Sequence, residues 1–93
     1  MEIKYSEHII NRMQLRKIEH GLPKKIVIES NERYIDSETG HTIALMAVDL
    51  YNKNREVMVA YIVEGNSAKL LTIHPLKQGQ KENRTKSGRW RRI

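Results

Sequence analysis

Apolar residues in the first third of the chain recur at helical spacing, and from about residue 32 they alternate or run continuously. Ser6 precedes Ile9, Ile10 and Met13, which fall three to four residues apart. A serine there can accept a hydrogen bond from a free first-turn amide, and Glu7 favours the positive end of the dipole. This predicts a helix from Glu7 to about Leu15, preceded by a short edge-strand candidate at Glu2–Tyr5. His20-Gly21 breaks the pattern. Pro23 suits the first turn of a second helix, because its missing N–H would go unbonded there in any case. That helix is expected from Leu22 to Ser30, burying Leu22, Ile26 and Val27, although β-branched Ile26-Val27-Ile28 sits less easily in it.

The period then changes. Arg33–Ser37 is a short strand candidate, followed by the turn residues Glu38-Thr39-Gly40. Thr42–Tyr51 and Glu56–Val63 are apolar on both alternating sets, as in strands covered on both faces or at an interface with a second copy. A homodimer is therefore among the expected assemblies. Asn52-Lys53-Asn54 is read as the hairpin between them, and Gly65-Asn66 as a second hairpin into Ala68–His74. Pro75 stops that strand. The expected fold is α+β: two N-terminal helices, a three- to four-stranded antiparallel meander, and a basic C-terminal segment. The 93 residues form one domain, with a body at 1–75 and the basic segment at 76–93.

Composition narrows the chemistry. The chain contains no Cys, so thiolate metal sites and thiol nucleophiles are excluded; it contains no Phe, so aliphatic residues must fill the core. Five scattered glycines form no phosphate loop, four separated histidines show no metal spacing, and no nucleophile-elbow motif occurs. No cofactor or metal is expected. The N-terminus lacks an apolar signal segment, and no apolar run reaches membrane-spanning length. The chain reads as soluble and cytoplasmic, without a membrane partner.

Charge is unevenly placed. Up to His74 the chain carries ten Lys or Arg against ten Asp or Glu; beyond it lie seven cations against Glu82 alone, the whole of the +6 excess. A neutral body with a basic end points to a polyanionic partner, or to a solvated tail. Trp90 and Ile93 favour a docked segment, with Gly88 turning the chain and the arginines flanking a groove. As a nucleic-acid grip, Lys86, Arg89, Arg91 and Arg92 would contact phosphates while Trp90 stacks on a base.

His8, Arg12 and Arg16 share one face of the first helix at four-residue spacing. Like charges there repel, and an anion between them would relieve this; Glu7, Glu19 or Glu29 would do the same. His74 ends the last strand on the alternating face of Leu70 and Thr72. A histidine or tyrosine at such a place, His74 or Tyr61, is more often a core residue with one polar contact than a catalyst.

The segment YSEHIINRMQLRKI, with Ser6, His8, Arg12 and Arg16, resembles a small prokaryotic family of uncharacterised domains allied to the BrnT and RelE/ParE-like toxins. TIHP around His74 and SGRW near the end match more loosely. The resemblance implies a RelE-like fold, metal-independent RNA cleavage, and RNA and an antitoxin protein as partners. In such cleavage the 2′-OH attacks the adjacent phosphorus. A base takes its proton, cations stabilise the phosphorane, and an acid protonates the leaving 5′ oxygen. His8 and His74 would serve as base or acid, with Arg12, Arg16 and Arg89 clamping phosphate oxygens. The alternative is a non-catalytic nucleic-acid-binding or protein-interaction module.

Overall fold

A computed structural model describes all residues from Met1 to Ile93. The chain forms β1 (Glu2–Tyr5), α1 (Glu7–Arg16), α2 (Leu22–Glu29), β2 (Glu32–Asp36), β3 (Thr42–Leu50), β4 (Lys53–Glu64), β5 (Ser67–Pro75), α3 (Gln80–Lys86) and β6 (Trp90–Arg92). All six strands join one sheet in the order β1-β5-β4-β3-β2-β6. This corrects the expected two helices followed by a three- to four-stranded antiparallel meander. The protein opens on a strand, and its sheet is mixed and six-stranded, with three helices. The meander from β2 to β5 is antiparallel, as the alternation indicates. The two added strands pair across long separations: β1 runs parallel to β5, and β6 runs antiparallel to β2.

Local chemistry explains the helices. Ser6 Oγ accepts from the Ile9 amide at 3.1 Å and so caps α1. The helix ends where Lys17 turns left-handed at φ 53°. Pro23 lies in the first turn of α2, and Ile26 and Val27 are buried by it. Ile9, Met13, Ile26 and Val27 pack on one sheet face against Val57, Val59 and Tyr61 of β4 and Leu70 and Ile73 of β5.

The opposite face is apolar too. Tyr34, Ile43, Leu45, Met58 and Ala60 cluster there with Trp90, and Leu76 packs against them. The chain's own end closes this face, which explains why β3 and β4 are apolar on both alternating sets. Lys81 of α3 bridges Glu32 (2.9 Å) and Glu56 (3.0 Å), while Arg84 lies over the Trp90 ring at 5.8 Å. The α3 helix has no buried residue; without an apolar stripe, its sequence carries no periodic signal.

A bulge in β5 alters which residues share a face. Ala60 pairs with Thr72 but Tyr61 pairs with Leu70, so Leu71 is the extra residue. Leu70 therefore packs on the helix side, whereas His74, opposite Met58, belongs to the other face. The expectation that His74 and Leu70 share a face is thus reversed, because strict alternation does not survive a bulge. The β3–β4 hairpin also turns one residue earlier than expected. Tyr51 and Asn52 form it, at φ 56° and 61°, between paired Leu50 and Lys53.

Trp90 is 3% exposed and stacks on Tyr34 with ring centroids 5.5 Å apart. Trp90→Ala is expected to lower unfolding free energy by about 3–5 kcal/mol in urea denaturation. The amides of Ser37 and Ile93, bonded across the β2–β6 edge to Arg89 and Arg33 carbonyls, should then exchange faster with deuterium. Because Nε1 of Trp90 has no hydrogen-bond partner, Trp90→Phe should cost clearly less than the alanine variant.

Candidate functional site

The outer edge of β5 outruns its neighbour. β1 stops pairing at Leu70, so the backbone beyond it has no strand partner on that side. The first helix supplies donors instead. Ser6 N bonds Leu70 O (3.0 Å), Ser6 Oγ donates to Leu71 O (3.1 Å), and Arg16 Nη1 donates to Ile73 O (2.7 Å). These contacts hold α1 against the strand and set the Arg16 guanidinium beside the end of β5.

There a cleft of about 1110 Å³ opens. Arg16 and His74 line it together, with Tyr51 and Lys53 from the β3–β4 turn and Arg55 from β4. Lys77 and Lys81 complete the opposite wall, where the acids are Glu56 and Glu82. Glu56 is already engaged by Lys81, whose pKa is raised chiefly by its hydrogen bond to Glu32, with Glu56 adding to it. Arg16, Lys53, Arg55 and Lys77 enter no ion pair. The cleft therefore offers unneutralised cations to an anion. Glu7, Glu19 and Glu29 pair with neither Arg12 nor Arg16.

His74 is half-buried in this wall. Burial lowers its pKa below the usual histidine value, and the fields of Arg16, Arg84 and Arg12 lower it further, against an opposing contact with the Pro75 carbonyl. The ring is therefore neutral at pH 7. Its Nδ1 lies 3.2 Å from Pro75 O. A proton on Nδ1 satisfies that carbonyl and leaves the Nε2 lone pair to accept one.

The other sequence candidates separate. His8 is exposed, accepts from Arg12 Nε at 3.3 Å and does not line the cleft. Arg12 acts on His74 only through its field. Arg89 is taken up by Asp36 (3.3 Å) and Glu38 (3.0 Å). Burial of Asp36 opposes its ionisation, but Arg89 and the amides of Glu38 and Thr39 outweigh it and hold its pKa below the usual value. Trp90 is covered by Tyr34 and Arg84, so its faces are not offered to a base. Lys86, Arg91 and Arg92 are exposed. Strands β4, β3 and β2 separate β6, which carries Arg91 and Arg92, from β5, which carries His74. The C-terminal arginines and the α1 stripe therefore do not share one groove. From the basic segment it is Arg84 that acts on His74, and Lys77 and Lys81 that reach the cleft.

Sequence reasoning did not single out Tyr51, Lys53, Arg55, Lys77 or Arg84. The signal in NKNR (residues 52–55) is turn chemistry, and only the fold brings that turn beside Arg16. No three His, Asp or Glu side chains are grouped to hold a metal. No helix is long and apolar enough to cross a membrane. No protein-family model matches the chain, and no curated protein or solved structure matches it significantly.

The depressed His74 pKa has a signed consequence. Below pH about 6.5 the unfolded chain binds a proton that folded His74 resists. Its effect on stability is therefore absent above that pH and destabilising as pH falls toward the lower folded value. Denaturation curves from pH 7.5 to 5 should show a decline that His74→Gln flattens, and NMR should show His74 titrating below the usual histidine value of about 6.5.

Proposed function

We propose that this chain is a toxin-type protein that cleaves RNA without a metal, using the Arg16–His74 cleft, and that an antitoxin neutralises it by covering the cleft. The observation that carries the reading is a neutral histidine with a free ring nitrogen beside unpaired cations in one open cleft. The likeness of YSEHIINRMQLRKI to the toxin-allied family supports it as well.

The roles follow from the chemistry. Nε2 of His74 takes the 2′-OH proton as the oxygen attacks phosphorus and forms the P–O2′ bond. Arg16 places its planar fork on the phosphorane oxygens, and Lys53 and Arg55 add charge along the strand. The P–O5′ bond breaks, the 5′ oxygen takes a proton from water, and a 2′,3′-cyclic phosphate remains. Because His74 is already neutral below the usual histidine pKa, the acid limb of kcat/KM falls below pH 6.5.

One observation favours the second reading, a non-catalytic nucleic-acid-binding module: His8 lies outside the cleft, leaving His74 as its one histidine. Purified protein incubated with single-stranded and ribosome-bound mRNA in EDTA separates the two. Cleavage should fall about 10²–10⁴-fold in His74→Ala and at least tenfold in Arg16→Lys, which keeps the charge but loses the fork. Arg91→Ala should cut normally. Binding that weakens steeply with salt but never yields a cyclic phosphate end would establish the binding module instead. Undiminished cleavage in both cleft variants would remove this site from the mechanism.

A further inference from the structure

We infer that Tyr51 is a stacking platform for an unpaired nucleobase, which makes the ligand of the cleft a single-stranded RNA read as a base beside a bound phosphate. The inference rests on the proposed RNA reading and adds the part that binds the base. Sequence considerations give the aromatic role to Trp90, but Trp90, Tyr34 and Tyr61 are 3%, 4% and 6% exposed and Tyr5 is half-buried. Tyr51 is 47% exposed and lines the cleft.

Its backbone is the second observation. Tyr51 is the first central residue of a two-residue hairpin turn and sits at φ 56°. Such turns favour Asn, Asp or Gly at both central positions, since a Cβ there crowds the backbone. Asn52, at φ 61°, follows that preference. Tyr51 does not, and a bulky residue held at positive φ marks a place where a side chain is retained against local preference.

The third observation is where the ring is fixed. Its hydroxyl donates to the Arg16 carbonyl at the end of α1, and the Arg55 guanidinium lies over one ring face, 5.5 Å from the centroid, so a base stacks on the opposite face. The aromatic is thus tied to the arginine assigned to the phosphate and flanked by a second cation. A positive groove with an aromatic at its rim binds successive nucleotides through backbone charge and base stacking together. A duplex keeps its bases stacked inside and offers none to the ring.

Fluorescence anisotropy with a labelled 2′-O-methyl RNA oligonucleotide, which cannot be cleaved by its own 2′ oxygen, tests the inference apart from catalysis. Wild-type protein should bind it at least tenfold more tightly than an abasic strand of equal length and than the corresponding duplex. Tyr51→Asn, suited to positive φ, should remove that preference, so that it binds the base-bearing and abasic strands equally. Tyr51→Phe should keep the preference, since it loses the hydroxyl contact but not the ring. Equal wild-type affinity for abasic and base-bearing strands overturns the inference. So does an unchanged preference in Tyr51→Asn, or a loss in Tyr51→Phe as large as in Tyr51→Asn, which would make Tyr51 only an anchor for α1. Binding with the expected preference but no cleavage of unmodified RNA would retain the platform and reject the catalytic reading. Cleavage without the preference would do the reverse.

Discussion

The arrangement of the molecule depends on how the unpaired edge of β5 is satisfied. Past Leu70 the strand has lost β1 as a neighbour, yet its carbonyls still need donors. Ser6 meets this need at one end of α1 and Arg16 at the other. Two side-chain contacts to backbone thus set the position of a ten-residue helix along the strand. The same contacts put a guanidinium beside His74. One arginine both satisfies the strand edge and lines the cleft, so the basic character of the cleft is tied to closure of the sheet edge.

What could be read from the sequence was local. Ser6 as a cap, Pro23 in the first turn of α2, and Gly65-Asn66 as a hairpin all depend on residues within a few positions, and each stands in the structure. Three features were not legible. Glu2–Tyr5 reads as a short strand candidate, but the pairings of β1 with β5 and of β6 with β2 span most of the chain, so no local pattern announces them. The Leu71 bulge leaves the sequence looking like one alternating run while moving His74 to the other face. The third, α3, presents Lys81, Arg84 and Thr85 instead of an apolar stripe; its contribution comes through ion pairs and stacking over Trp90.

The site was legible in part for the same reason. Arg16 and His74 were singled out and do meet, because one sits on a helix face and the other at a strand end on the same edge. His8 is two turns earlier on α1, which carries it away from the cleft. The basic C-terminal segment divides by function. Arg89 and Trp90 are spent on docking β6 to β2, through Asp36 and Tyr34, and Arg84 is left over the same tryptophan within electrostatic reach of His74. Formal charge count alone could not distinguish a cation held by a carboxylate from one facing solvent.

Strand order also bears on how the molecule is reached from the unfolded state. Strands β2 to β5 are successive hairpins, whose loops close at small entropic cost. β1 must find β5 and β6 must find β2 across most of the chain, the costliest closures in the fold. The helix bearing Arg16 follows the first of these strands directly, and α3 precedes the second. Arg16 and Lys81 are therefore brought to the cleft by the slowest contacts to form, and an incompletely folded chain holds Tyr51, Arg55 and His74 in a finished hairpin sheet without the helical residues that complete the cleft.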